Sequence, residues 1–129
     1  LAVAQRNAQN LSVNNVEFRQ GDWLAALPSI YFDAIISNPP YIAAHDAHLA
    51  DLTYEPLHAL SAGHDGLTAL HTIVEQALNY LREGGWLLLE HGFDQALAVQ
   101  QKLQTMGYRE IVTHHDLAGH ARVTVGKKP

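Results

Sequence analysis

The feature that most constrains this chain is the tetrapeptide Asn38-Pro39-Pro40-Tyr41, which directly follows an apolar run at residues 32–37. The run is short, rich in β-branched residues and stopped by prolines, which is typical of a buried β-strand. Neither proline has an N–H, so the hydrogen-bond ladder of a sheet cannot continue through them. The strand therefore ends there and leaves an amide and a phenol at its carboxyl end, where open α/β sheets bind ligands. A rigid corner of this kind suits the recognition of a planar amine or amide.

The composition indicates one globular domain and excludes several classes of protein. The chain has 129 residues, of which 47% are apolar and 16% charged, which is enough for one domain with a hydrophobic core. No stretch approaches the ~20 apolar residues of a membrane span, and no signal-peptide pattern opens the chain. The sequence has no cysteine for a disulfide or a thiolate. We therefore expect a soluble, cytoplasmic protein without a membrane partner.

Charge and histidine content argue against two kinds of site. The net charge of −5 counts against a direct nucleic-acid partner, because phosphate-binding proteins present a basic surface. We interpret Lys127 and Lys128 as a solvated tail. The nine histidines match no metal-binding spacing. His114 and His115 are adjacent on a predicted strand and would face opposite sides of it, so we predict no metal site.

The predicted elements alternate between strands and helices. Helix-forming composition or a 3.6-residue apolar period predicts helices, short apolar runs predict strands, and a glycine pair is predicted to end the second helix. A long connection at residues 42–65 is typical of a functional loop. Such alternation predicts an α/β sheet with right-handed crossovers and a terminal antiparallel pair. The predicted helices cover residues 1–10, 67–81 and 93–106, the strands cover 16–19, 32–37, 86–90, 108–115 and 121–125, and the glycine pair is Gly84-Gly85.

Four segments together resemble a known family. Asn-Pro-Pro-Tyr after an apolar strand marks class I S-adenosylmethionine-dependent methyltransferases that modify planar nitrogens. The segment 55–60 (Glu-Pro-Leu-His-Ala-Leu) follows at the family's distance, and 88–92 (Leu-Leu-Glu-His-Gly) occupies the next strand end. The fourth segment, residues 116–123 (Asp-Leu-Ala-Gly-His-Ala-Arg-Val), lies in the predicted terminal hairpin. Over essentially its whole length the chain resembles the HemK-type methyltransferases that modify a glutamine of peptide-chain release factors.

The resemblance implies a substrate site around the tetrapeptide. It implies that Asn38, Pro39, Pro40 and Tyr41 bind the glutamine, and that Asn38, Pro39 and Tyr41 take part in catalysis. An amide nitrogen is a poor nucleophile, so the site must hold it in line with the methyl group. The Asn38 side-chain oxygen and the Pro39 carbonyl can accept its hydrogen bonds, and Tyr41 can exclude water. Glu55 is either a solvated carboxylate or part of a loop ordered over the substrate.

The resemblance also implies S-adenosylmethionine as the cofactor and release factors as the protein partner. Asp22 resembles the residue that bonds the adenine amino group, and Trp23 the residue that lines the ring. A carboxylate can accept from an exocyclic amine and an indole offers a stacking face. Asn38 is expected to lie near the cofactor as well. The fold implied is a Rossmann-like class I methyltransferase fold with a mostly parallel sheet.

Part of the family's pattern is missing from the chain. The Gly-rich turn, the acidic residue that binds the ribose and the N-terminal helical domain have no counterpart, and Leu1 begins within a helical pattern. We interpret residues 1–129 as a single partial methyltransferase catalytic domain that lacks the first two strands. We expect the parent protein to be the enzyme and this chain to have little or no activity alone.

Several alternatives remain open. One rival function is methylation of an adenine amino group (N6) in nucleic acid, which would require a flipped base and a basic surface. Another is a non-catalytic, partner-binding fragment. Glu90, at a predicted strand end, needs a polar partner, and a structural hydrogen bond is favoured over catalysis. Arg122 is expected to brace the hairpin, with partner contact as the lesser alternative. The sequence does not determine the oligomeric state.

Overall fold

A computed structural model describes residues 1–40 and 66–129. They belong to two compact units, residues 1–30 and residues 31–129, each with its own internal structure. The interpretation of residues 1–129 as a single partial catalytic domain is not tested by this division and stays a prediction. Within the two described ranges, no helix is long and apolar enough to cross a membrane.

The first unit contains one helix, α1 (Ala2–Asn10), where the sequence predicted it. None of the residues of α1 is buried. The predicted strand at residues 16–19 is wrong, because these residues form no strand in the structure. A strand needs a hydrogen-bonded neighbour for its backbone N–H and C=O groups, and the first unit offers no other strand as a partner. Val16 is accordingly 46% exposed.

The described residues of the second unit form a four-stranded sheet in the order β1-β2-β4-β3. Strands β1 and β2 are parallel, whereas β4 runs antiparallel to both β2 and β3. The predicted α/β class and the terminal antiparallel pair are thereby confirmed. The elements are β1 (Phe32–Ser37), α2 (Thr68–Tyr80), β2 (Leu81–Glu90), α3 (Ala96–Thr105), β3 (Arg109–His115) and β4 (Ala121–Lys127).

The core lies between the sheet and the helices α2 and α3, which contact each other as well as the strands. Along β2 the burial alternates, because successive side chains of a strand point to opposite faces. Leu87 and Leu89 are fully buried, and Leu70 on α2 and Leu103 on α3 are also fully buried. Each such side chain contributes about 1.5–3 kcal/mol by its removal from water. This packing fixes the two helices on one face of the sheet.

The boundary between α2 and β2 differs from the prediction. The helix ends at Tyr80 and the strand begins at the next residue, so Gly84 and Gly85 do not end the helix but lie within β2. They occupy an irregularity at which the pairing of β1 with β2 shifts register. A Cβ at Gly85 would lie 3.0 Å from the carbonyl oxygen of Arg82 and 3.1 Å from that of Asp33. Gly85 therefore permits close backbone approach, whereas Gly84 adopts a left-handed φ of +71°.

The interpretation of Lys127 and Lys128 as a solvated tail is wrong. Lys127 belongs to β4, and its Nζ donates to Glu110 Oε1 at 2.8 Å. The Nζ of Lys128 donates to the carbonyl oxygens of Leu78 and Leu81 at 2.6 and 2.7 Å. Those carbonyls lie at the carboxyl-terminal end of α2, where helix C=O groups lack backbone partners and a cation is favourable.

Candidate active site

The tetrapeptide begins where the sequence predicted, at the carboxyl end of β1. The strand ends at Ser37, and Asn38, Pro39 and Pro40 continue without ladder pairing. Asn38 is exposed, whereas Pro39 is buried and Pro40 half-buried. The prolines thus anchor the backbone and leave the Asn38 side chain accessible. The remaining predicted substrate residues, Tyr41 and Glu55, lie outside the described residues.

The carboxyl ends of β1 and β2 meet at one edge of the sheet. Ser37 pairs with Leu89 in parallel register, so Asn38, which follows β1, and Glu90, the last residue of β2, come to the same edge. Neighbouring strands are about 4.8 Å apart. The loop that follows β2, residues 91–95, therefore lies beside the Asn38 corner. This loop and the Asn38 corner, residues 38–40, together define the candidate site in the second unit.

His91, the first residue after β2, is fully buried. Its Nε2 lies 2.8 Å from Thr124 Oγ1 on β4, and its Nδ1 lies 2.8 Å from the carbonyl oxygen of Gly92. Thr124 Oγ1 is in turn 2.7 Å from Thr113 Oγ1 on β3. The Nε2 of Gln100 on α3 donates to Thr113 Oγ1 at 2.7 Å. Four side chains thus form a continuous polar chain beneath the end of β2.

Gly92 is the point at which the loop is fixed. Its N–H donates to Gln95 Oε1 at 2.9 Å, and its carbonyl accepts from the Gln95 N–H at 3.0 Å. This reciprocal pair closes the turn that leads into α3, whose N-cap residue is Gln95. A Cβ at Gly92 would lie 3.1 Å from Asp94 Oδ1 and 3.2 Å from Gln95 Oε1, so a larger residue would displace the side chain that closes the turn.

The turn between β3 and β4 lies at the same edge of the sheet and is organised by Asp116. Its Oδ1 accepts from the backbone N–H groups of Ala118 and His120, each at 2.9 Å. Its Oδ2 accepts from Arg122 Nε at 3.2 Å. The His120 N–H first, and then Arg122 and Ala118, lower the pKa of the Asp116 carboxyl below its ordinary value. Arg122 therefore braces the hairpin, as the sequence predicted.

Asp22 and Trp23 lie in the first unit, in a series of tight turns rather than at a strand end. The N–H of Ala25 donates to the Asp22 carbonyl at 3.1 Å. Both side chains face solvent, and Trp23, 38% exposed, has a φ of +49°. Gly21 makes the turn possible, because a Cβ there would lie 1.9 Å from the Cβ of Ala26. The role of Asp22 and Trp23 in cofactor binding stays a prediction, and so does that of Asn38.

Sequence reasoning missed three members of the polar chain: Gln100, Thr113 and Thr124. The two threonines pair across β3 and β4, and Thr124 is fully buried. Threonines at facing positions of a predicted hairpin were the available signal. In residues 1–40 and 66–129, no three His, Asp or Glu side chains form a metal-binding group, and the absence of a metal site stays a prediction.

The sequence comparisons identify curated relatives of one kind. The chain is 47% identical to the release factor glutamine methyltransferase of Coxiella burnetii, over 99% of this chain and 46% of the relative. It is 50% identical to that of Xylella fastidiosa and 44% identical to that of Escherichia coli, covering 48% and 47% of them. The predicted resemblance is confirmed, and the chain spans a little less than half the length of these relatives.

The structural comparisons show the same fold at low sequence identity. The ribosomal protein L11 methylase of Lactobacillus delbrueckii subsp. bulgaricus matches 99% of this chain and 52% of its own, with a TM-score of 0.66 and 16% identity. The E. cuniculi Mtq2–Trm112 complex, responsible for methylation of the eRF1 termination factor, matches 95% of this chain and 68% of its own. Its TM-score is 0.61 at 19% identity.

These matches confirm the predicted fold class, part of a Rossmann-like class I methyltransferase fold. The family model for a methyltransferase domain matches residues 1–124. That match includes the whole first unit, residues 31–124 of the second unit and the Asn-Pro-Pro corner. This chain belongs to the methyltransferase domain family.

Proposed function

We propose that this chain is part of an enzyme that uses S-adenosylmethionine to methylate the side-chain nitrogen (N5) of a glutamine in peptide-chain release factors. The observation that carries the proposal is the Asn38 corner. There the exposed amide side chain of Asn38 is followed by the buried Pro39, at the carboxyl end of the parallel strand β1. The names and the 44–50% identity of the curated relatives support this substrate. A cytoplasmic location, where release factors act, fits the proposal.

The Asn38 corner can bind the reacting amide and hold it in place. The Asn38 side-chain oxygen and the Pro39 carbonyl accept hydrogen bonds from the glutamine NH2, which orients its nitrogen and stabilises charge that develops on it. Because Pro39 is buried, the acceptor positions are fixed before the substrate arrives. Tyr41 is proposed to cover the planar amide and exclude water, and Glu55 to order the loop above it.

For the cofactor, we propose that Asp22 and Trp23 of the first unit bind the adenine, and that Asn38 of the second unit is a cofactor-binding residue as well. The exposed Asp22 carboxylate and the exposed Trp23 ring fit an adenine, which offers an amine to the first and a flat face to the second. S-adenosylmethionine, when bound, supplies a methyl group activated by a sulfonium. In the transfer a nitrogen–methyl bond forms, the sulfur–methyl bond breaks, and the amide nitrogen releases one proton to solvent or to a carbonyl.

A chimaeric enzyme provides the direct test. In the Escherichia coli relative, the segment matched at 44% identity is replaced by this chain, and transfer of labelled methyl to a purified release factor is measured. We expect activity in the chimaera and a loss of about 100-fold or more with Asn38→Ala, in line with the removal of one transition-state hydrogen bond. Asn79→Ala, an exposed asparagine on α2, is the matched control and should leave the rate unchanged.

Two outcomes would contradict the proposal. Methyl incorporation into DNA or RNA in place of release factor would favour the adenine-amino rival. An Asn38→Ala chimaera with the parental rate would remove the corner from the reaction. A separate calorimetric titration of the chain alone tests the expectation that it has little independent activity, because micromolar binding of S-adenosylmethionine would contradict that expectation.

A further inference from the structure

The polar chain beneath the end of β2 has a definite direction. The Nδ1 of His91 faces the carbonyl oxygen of Gly92 at 2.8 Å, and a carbonyl oxygen can only accept a hydrogen bond. Nδ1 must therefore carry a hydrogen. In the neutral ring the other nitrogen, Nε2, then carries a lone pair and accepts from Thr124 Oγ1, which lies 2.8 Å away.

The same reasoning continues from Thr124 to α3. Because the Thr124 hydroxyl donates to His91, its oxygen accepts from the Thr113 hydroxyl at 2.7 Å. The Thr113 oxygen accepts in turn from the Gln100 amide, which has only N–H groups to offer from its Nε2. Every group in the series has one role, and within the described residues no buried side-chain nitrogen or oxygen lacks a partner. A buried network of this kind is rigid when it is fully satisfied.

We propose that His91 is a positioning residue for the substrate half of the site, that the Gly92 carbonyl selects the tautomer with the proton on Nδ1, and that Gln100, Thr113 and Thr124 reinforce this tautomer from the Nε2 side. Through the Gly92 carbonyl the ring fixes the loop that follows β2, next to the Asn38 corner. The role of His91 in substrate binding rests on the proposed function. The tautomer of His91 does not, because it is a property of this chain alone.

The geometry indicates why the loop needs fixing. It follows the strand that pairs with β1 directly before Asn38, so a shift of the Gly92 backbone would move the wall beside the bound amide. The Gly92 carbonyl is held from two sides, by the His91 ring and by the Gln95 N–H. The His91 N–H donates to the Arg122 carbonyl at 2.9 Å, which ties the same point to β4. Displacement of a reacting group by about 1 Å can lower a reaction rate about 100-fold.

Nitrogen-15 NMR of the imidazole rings at pH 8 tests the tautomer in the chain itself. We expect the His91 ring to carry its proton on Nδ1 in at least tenfold excess. Thr124→Val removes the hydroxyl and keeps the shape, and should reduce that excess to about threefold or less, since Nε2 loses its donor. Thr124→Ser keeps the hydroxyl and loses a methyl group, and should restore it. Thr105→Val, which removes an exposed hydroxyl bonded only within α3, is the matched control.

The kinetic arm uses the chimaeric enzyme. We expect Thr124→Val to raise the KM for release factor about tenfold with the KM for S-adenosylmethionine unchanged, and Thr124→Ser to behave like the parent. A purely packing role for Thr124 predicts the reverse order, with Ser worse than Val. That order, a proton found on Nε2 of His91, or an unchanged KM in the Val variant would each overturn the proposal. An inactive parental chimaera would count against the proposed function, while the NMR result still decides the tautomer.

Discussion

Helix α1 of the first unit and helix α2 of the second differ in what they bury. None of the nine residues of α1 is buried, and Val3 is 58% exposed. Five of the thirteen residues of α2 are buried, and Leu70 and Val74 are fully enclosed. Helices in proteins gain most of their stability from packing of an apolar face and little from propensity alone. The comparison therefore predicts that the second unit is the stable part of the chain and that the first contributes little to it.

The two tryptophans allow the units to be followed separately. Trp23 lies in the first unit and Trp86 on β2 in the second. Trp86→Phe leaves a fluorescence signal from the first unit alone, and Trp23→Phe leaves one from the second. Equal urea midpoints for the two signals would contradict the idea that the units differ in stability.

The largest effect is expected in the core of the second unit. Leu70→Ala leaves a cavity at a fully buried position and should lower the free energy of unfolding by about 2–5 kcal/mol. Val3→Ala makes a comparable truncation at an exposed position of α1, and surface substitutions of this kind change stability by less than about 0.5 kcal/mol. Urea unfolding measures both variants, followed through Trp86 in a Trp23→Phe background for Leu70→Ala and through Trp23 in a Trp86→Phe background for Val3→Ala. Similar losses of unfolding free energy for the two variants would contradict the predicted difference between α1 and α2.

The next effect belongs to the first unit. Gly21→Ala places a Cβ 1.9 Å from the Cβ of Ala26, and overpacking of this kind costs about 1–3 kcal/mol. We expect the NMR shifts and the fluorescence around Trp23 to change while the Trp86 signal does not. The double variant Gly21→Ala/Ala26→Gly removes the clashing methyl group and should restore the parental spectrum. A silent Gly21→Ala variant would contradict the described turn.

A smaller effect is expected for Tyr108→Phe in the second unit. The Tyr108 hydroxyl is buried and donates to the Val74 carbonyl at 3.1 Å, so its loss should cost about 1 kcal/mol. Burial raises the pKa of the Tyr108 phenol above its ordinary value. The folded state therefore holds this proton more tightly, and stability is lost as the pH rises past about 10.

Thermal unfolding between pH 8 and pH 11 tests the predicted loss of stability at alkaline pH. The parent should lose stability with rising pH more steeply than Tyr108→Phe, because the variant has no phenol to ionise. The first unit contains no tyrosine and provides an internal reference through Trp23. Parallel pH profiles for the two proteins would show that Tyr108 ionises as readily when folded as when unfolded.

The smallest effect is expected at the hairpin. Asp116→Asn removes the charge that attracts Arg122 and weakens the bonds from the Ala118 and His120 N–H groups. Because the folded state lowers the pKa of this carboxyl, its stabilisation is present above about pH 4 and is lost as the pH falls. The variant should melt slightly below the parent at pH 7 and together with it near pH 2. A gap that persists at low pH would assign the effect to something other than charge.

The elements that local chemistry determines were predictable from the sequence. The prolines end β1 at Ser37, and Gly119, with a φ of +85°, forms the turn of the predicted hairpin. The predicted strand at 16–19 failed because a strand depends on a partner, which no local pattern contains. The Gly84-Gly85 pair was misassigned for a related reason, since its role depends on the register of β1 against β2.

The candidate site likewise has one part that was predictable from the sequence and one part that was not. The meeting of Asn38 with the end of β2 follows from the rule that parallel strands bring their carboxyl ends together. The contact of His91 with Thr124 joins residues 33 positions apart and depends on the antiparallel register of β2 with β4. The sequence indicated which segments approach one another. The partners of individual side chains could not be predicted, because they depend on the register of the strands.

The strand order has a consequence for how the protein is made. β4 is synthesised after β3, yet it lies between β2 and β3 in the sheet. Among the strands that the structure describes, β3 has no neighbour to pair with until β4 inserts, and until then β2 has one open edge. Exposed strand edges are prone to pair with other chains. Among the described strands, insertion of β4 therefore covers an open edge of β2 and an open edge of β3 in one step.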